Sequence, residues 1–258
     1  MSSDHFPAEE PAAPAPPRPE PSGPQGLARL FSIIVSPRAT FEAMARRTQP
    51  WVGVLAVVIS VGLGSALIAH ISGPEQMEAA LNGPFGDKLQ GNEEYLKKIE
   101  EAKSPTLGKR VVTALQAGLG GTVAFAIGAV FYWLACMVVG GKAGFKLTLD
   151  VVFLCTWVGG GLALLATVPL VLAKGSALTV GYSLAPLSGL FGAGSDTSSI
   201  GYHFLQSFTN FFSIWELFLL AIGFQVVHRL STGRAWFAAA VPWVLGNGIG
   251  LLMYAIFM

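Results

Sequence analysis

At 258 residues the chain is long enough for one or two soluble domains, but it is 52% hydrophobic and only 12% charged, with a mean hydropathy of +0.57. A water-facing globule carries about a quarter of its residues charged, so this composition excludes a soluble fold and points to a membrane protein. The net charge of +1 excludes nucleic acid as a partner, because phosphate binding needs a concentrated basic face.

Residues 1–26 hold about half of the 16 prolines, interleaved with Ala, Glu and Ser. They offer too little apolar surface to offset the entropy of ordering and read as a disordered, Pro-rich cytoplasmic tail. A basic n-region followed by an apolar h-region is missing, so a signal peptide is not expected. Leu27, Leu30, Phe31 and Ile34 then recur at i, i+3, i+4 and i+7, the spacing of one helix face. Ser36 is positioned to cap a second short helix with Pro37 in its first turn, running through Phe41 and Met44 to Arg46. Both are too short to span. They are expected either to lie flat, with arginines among lipid headgroups, or to pack beneath the helix bundle.

The first span is expected at about 50–71, an uncharged run longer than the roughly 20 residues that cross about 30 Å of hydrocarbon. The connection 72–110 gathers seven of the 15 acids and contains NEEYLKKIEEAKSP, in which Glu93 with Lys97 and Glu94 with Lys98 are i,i+4 pairs. A water-exposed helix stopped at Pro105 is expected there. Further spans are expected at about 111–140, 151–173, 208–228 and 235–257. The Gly/Ser-rich stretch between Lys174 and Ser207 is too broken to span and too apolar for an ordinary linker, and is assigned to the interface. The expectation is therefore an all-α polytopic membrane bundle of about five transmembrane helices preceded by short interfacial helices.

Orientation follows from the basic residues beside the spans. Arg38, Arg46 and Arg47 precede the first, Lys142 and Lys146 join the second to the third, and Arg229 and Arg234 join the fourth to the fifth. All seven share one face, and positive charge marks the cytoplasmic side, so the amino terminus is placed inside and the carboxyl terminus outside. Small residues recur at helix-contact spacing in Ser60/Gly64, Gly120/Ala124/Gly128 and Gly246/Gly250, while Gly159 to Gly161 weaken the third span beside Thr156 and Trp157.

Glu216, near the middle of the fourth span, is the most informative residue, because an ionised group there costs several kcal/mol. Asn247 lies at matching depth in the antiparallel fifth span, so the two side chains are expected to meet. Their bond either locks two helices or forms a proton- or ligand-responsive site. Asp150 is expected to act as an acid at a helix N-terminus, and His70 and His228, at span ends, as solvated interfacial histidines. Cys136 and Cys155 lie in apolar runs and read as small buried hydrophobes. No catalytic motif is present, and the histidines lack metal-ligand spacing, so neither an enzyme nor a metal or cofactor is expected.

The arrangement SPRATFEAMARRTQPWVGVL, a fourth span with IWELFLLAIGF, then LSTGRAWFAAAVPWVL, resembles the Yip1 domain family, its bacterial members in particular, over Leu27 to Met258. That resemblance implies a five-span bundle with a cytoplasmic amino terminus and, with the Ala/Gly/Arg-rich usage, a bacterial inner membrane. Eukaryotic members act in membrane trafficking and bind Rab-type GTPases. The DLYGP element of those members is replaced here by RTQPW, and GYSLAP, Gly181 to Pro186, falls in a long external connection. GTPase binding is therefore not carried over. The expected function is a non-enzymatic, membrane-organising adaptor, with the lipid bilayer and unidentified membrane or cytoplasmic proteins as partners. The alternative is a small-solute permease using Glu216 and Asn247 in the bundle interior.

Overall fold

The computed structural model describes residues 23–81, 86–177, 208 and 210–257. Most of the expected tail, most of the Lys174 to Ser207 stretch and the GYSLAP segment lie outside the described residues. Every regular element among the described residues is helical. In chain order they are α1 (Ala28–Val35), α2 (Pro37–Arg46), α3 (Pro50–Leu81), α4 (Gly86–Gln90), α5 (Glu93–Lys103), α6 (Leu107–Val138), α7 (Phe145–Thr156), a π-helical segment (Trp157–Leu162), α8 (Ala163–Lys174), α9 (Phe211–Val227) and α10 (Thr232–Phe257).

Among the described residues three stretches are long and apolar enough to cross a membrane: Pro50–Glu75, Leu107–Val138 and the continuous rod Phe145–Lys174. The second and third begin earlier than expected. Thr106, whose hydroxyl accepts from the Lys109 amide at 3.3 Å, starts α6 ahead of the basic pair Lys109–Arg110, and Gly144 starts α7 ahead of Asp150. Asp150 therefore lies in the second helical turn and not at the end. The apolar helix α9 has 17 residues, about 25 Å of rise against the roughly 30 Å of hydrocarbon, and α10 has 26.

The outward faces of these rods are apolar. Along α3, Trp51, Leu55, Ile59, Leu63 and Leu67 are exposed at every fourth position, and α6 presents Leu115, Leu119, Val123, Ile127 and Phe131 likewise. Continuous exposed apolar stripes of this length suit lipid and are incompatible with water. Inside, α3 and α6 approach closely where Gly62 faces the Ala114 carbonyl and Gly118 the Val58 carbonyl, each leaving only 2.7 Å for a methyl group. The expected row Gly120/Ala124/Gly128 makes no such contact. Gly120 and Gly128 have open space beside them and Ala124 is exposed, because this face of α6 looks out of the bundle. Ser60 and Gly64 do make contact, Ser60 against Gly161 and Gly64 against Leu164, whereas Gly246 has nothing near it.

The two short amino-terminal helices both pack against the bundle, one of the two expected placements. Helix α2 packs beneath the bundle through Thr40, Phe41 and Met44, with the Phe41 ring seated at Gly223 of α9. Ser36 precedes it without a side-chain cap; its carbonyl accepts from the Thr40 hydroxyl at 3.0 Å. Helix α1 buries Arg29 and Ile33 but leaves Leu27, Phe31 and Val35 exposed along its outer side. At the opposite end, α5 rests on α3 through buried Ile99 and a Tyr95 hydroxyl bond to the Met77 carbonyl, 3.1 Å. Its Glu94–Lys98 pair forms at 2.7 Å, and the Asn92 side chain caps its first turn.

Candidate functional site

The seven basic residues singled out by the sequence are all exposed. They flank the start of α3, the α6–α7 turn and the α9–α10 turn. Contacts between those turns put them at one end of the bundle. Three converge further: Arg46 at the end of α2, Lys142 in the α6–α7 turn and Arg229 after α9 line a single cleft of about 440 Å³. Its floor is apolar, from Ala45, Leu147, Val226 and Val227, and Glu42 is the acid on its wall. Glu42 already pairs with Arg38 at 3.4 Å. Arg47 turns aside to the Gln25 side chain, while Lys146 and Arg234 stand outside the cleft lining.

Arg229 carries the one left-handed non-glycine backbone among the described residues, φ 55°. A non-glycine residue held there costs about 1 kcal/mol, so something must fix it. The preceding residue does. Burial of His228 is complete, its Nδ1 accepts from the Ala143 amide at 3.3 Å, and its Nε2 lies 2.9 Å from the Thr148 hydroxyl. Since Nδ1 accepts, Nε2 carries the proton and donates to Thr148, which in turn donates to the Gly144 carbonyl at 3.4 Å. The expected solvated histidine is instead a neutral latch joining the α6–α7 and α9–α10 turns. His70 also departs from expectation: it lies within α3, with a buried Nδ1 that has no partner among the described residues.

Desolvation pushes His228 down to about 4. A free imidazole titrates near 6.5, so the latch contributes fully above about pH 6.5 and loses its contribution as pH falls through 4. We expect the melting temperature of the detergent-solubilised protein to fall across that window and the fall to be smaller in His228→Gln. Identical pH profiles of the two proteins would show that the ring does not titrate in this way.

At the start of α3 lies a buried charge pair of which the sequence disclosed only the acid. Arg29 and Asp150 are buried together, Nη1 to Oδ2 3.5 Å, with side chains 1% and 2% exposed. Arg29 also donates from Nε to the Pro24 carbonyl at 3.2 Å and from Nη2 to the Arg47 carbonyl at 2.5 Å, and the Gln49 amide donates to Asp150 at 2.7 Å. Burial lowers the Arg29 guanidinium from its ordinary value, Asp150 opposes that shift, and nearby Arg47 reinforces it. The side chain remains a cation at any physiological pH. This junction clamps α1, the α2–α3 link and α7 together.

Within the bundle, Glu216 and Asn247 do not bond to each other. The Thr156 hydroxyl donates to Glu216 Oε1 at 2.8 Å, and Asn247 donates to the Trp243 carbonyl of its own helix at 2.8 Å. Counted from the α9–α10 turn, Asn247 sits about one helical turn farther along than Glu216, so the depths do not match. Glu216 Oε2 instead occupies the space that a side chain on Gly159 would need. The bulge expected at the triple glycine is the π-helical segment, and of its three glycines Gly159 forms the slot for the carboxylate. Among the described residues no cluster of His, Cys, Asp and Glu could hold a metal ion, and both cysteines are free and buried.

The family model of the Yip1 domain matches residues 31–254 of the chain. Over 212 residues the chain is 25% identical to "Membrane protein YknW" of Bacillus subtilis (strain 168), covering 82% of this chain and 84% of that protein. No solved structure matches.

Proposed function

Because the chain belongs to the Yip1 domain family, whose model covers nearly all of it beyond the tail, we propose that it is a five-span, non-enzymatic adaptor of a bacterial inner membrane, presenting a fixed basic platform to the cytoplasm. The observation that carries this reading is the buried Arg29–Asp150 junction. It fixes α1 and the α2–α3 link to α7, while Phe41 seats α2 on α9, at the end where all seven basic residues stand exposed, so the platform is rigid and not a loose tail. The exposed row Leu27, Phe31 and Val35 suits insertion of α1 among acyl chains, and clustered positive charge suits the cytoplasmic side. In this topology α9 and α10 are the fourth and fifth spans, the amino terminus is inside and the carboxyl terminus outside.

Single-cysteine labelling in membrane vesicles tests the topology. A membrane-impermeant maleimide is expected to reach Lys142→Cys only from the cytoplasmic side and Lys98→Cys only from the opposite side. Labelling of both from one side would overturn the arrangement. A flux assay separates the adaptor from the small-solute permease in which Glu216 and Asn247 line a passage. No solute flux is expected from the reconstituted protein, and Glu216→Gln is expected to leave its activity in the cell unchanged. Flux abolished by that substitution would instead establish the permease.

A further inference from the structure

We propose that the cleft lined by Arg46, Lys142 and Arg229 binds the phosphate headgroup of an anionic phospholipid from the adjoining leaflet. The inference deepens the adaptor reading and rests on its topology, which places this end of the bundle at the cytoplasmic face. Three features favour such a ligand. The cations come from three separate elements and meet at one cavity, and among the described residues none of the three has an ion-pair or hydrogen-bond partner to neutralise its side chain. The one acid in the lining, Glu42, already pairs with Arg38 at 3.4 Å, so three cations face a single carboxylate. The cavity, about 440 Å³, lies within the range of ligand pockets and combines a cationic rim with an apolar floor of Leu147, Val226 and Val227. That combination suits an amphiphile at a membrane surface better than a free ion.

The left-handed conformation of Arg229 is the fourth feature. A glycine there would be free of strain, yet an arginine is held in place by the His228 latch, an arrangement that aims a cation at the cost of local stability. Strain kept at a cavity rim is explained by a ligand that needs the charge.

The test uses the full chain purified in neutral detergent, with its melting temperature followed against added phosphatidylglycerol, phosphatidylcholine or sodium phosphate. Phosphatidylglycerol is expected to raise it saturably by several degrees, and the other two to leave it near the starting value. Arg46→Gln/Lys142→Gln/Arg229→Gln should lose more than half of that shift, whereas Lys146→Gln/Arg234→Gln, two exposed basic sites outside the cleft, should retain it. Arg229→Gly, relieved of the left-handed strain, should melt no lower than the wild type and still weaken the response, which a purely structural arginine would not do. If the triple variant does not fold, Lys142→Gln, in an exposed turn, carries the comparison. An equal response to phosphatidylcholine, an undiminished response in the cleft variants, or an equal loss in the control pair would overturn the site. A full response to sodium phosphate would reassign it to a soluble phosphate. These outcomes concern the cleft alone, while labelling of Lys142→Cys from the external side would defeat the topology beneath it.

Discussion

Gly159→Ala is expected to destabilise the bundle by about 2–4 kcal/mol, read as a loss of melting temperature in detergent. A methyl group at this position meets the Glu216 carboxylate directly and comes 2.7 Å from Glu216 Cβ. Rotating the carboxylate away breaks its bond from Thr156 and leaves a polar group between helices with no replacement partner, a penalty added to the steric one. Glu216→Gln, by contrast, keeps an oxygen to accept from Thr156 and should cost less than about 1 kcal/mol. The double variant Gly159→Ala/Glu216→Ala should recover part of the loss, because the carboxylate is gone, but not all of it, because the two β-carbons still crowd. A Gly159→Ala protein that melts like the wild type would show that the π-helical segment is not a slot for Glu216.

How much of this was legible beforehand differs by interaction. The rods themselves were readable, because lipid demands long uncharged runs whatever packs against them. The basic face was readable too, since Arg46, Lys142 and Arg229 flank expected spans at connections that antiparallel packing brings to one end of the bundle. The partner of Glu216 was not. Which helix supplies it depends on rotation and register across the bundle, and Thr156 with Gly159 lies in the third rod, not the fifth where depth-matching placed Asn247. The small-residue pattern misled for the same reason: Gly120 and Gly128 fit the spacing while Gly62 and Gly118 make the contact. Arg29 was missed because its partner lies 121 residues away. The available signal was a lone arginine among Leu27, Leu30, Phe31 and Ile33, with Asp150 one of only two acids, beside Glu42, on an otherwise basic face. Nothing in the periodicity marks His228 as a latch, since its bonds run to a turn amide at Ala143 and to Thr148 in the first turn of another helix, α7.

Arg29→Met is expected to carry the largest cost, about 3–5 kcal/mol, because it leaves the Asp150 carboxylate buried without its cation and removes the bonds to the Pro24 and Arg47 carbonyls together. Asp150→Asn should cost less, roughly 1–2 kcal/mol, since an amide oxygen still accepts from the Gln49 amide and Arg29 keeps both carbonyls. The combination Arg29→Met/Asp150→Asn should be more stable than Arg29→Met alone, the sign expected when an unpaired buried charge and not lost packing sets the penalty. The damage should also be local. Arg29 ties α1 and the α2–α3 link to α7, whereas α3, α6 and the rod from Phe145 pack on one another without it, so the amino-terminal helices should come loose before the bundle does. Limited trypsin digestion reads that directly: cleavage at Arg38, Arg46 or Arg47 should accelerate in Arg29→Met while the spanning rods stay intact. If cleavage stays at the wild-type rate, or the double variant is no more stable than the single, the junction is not what holds the platform in place.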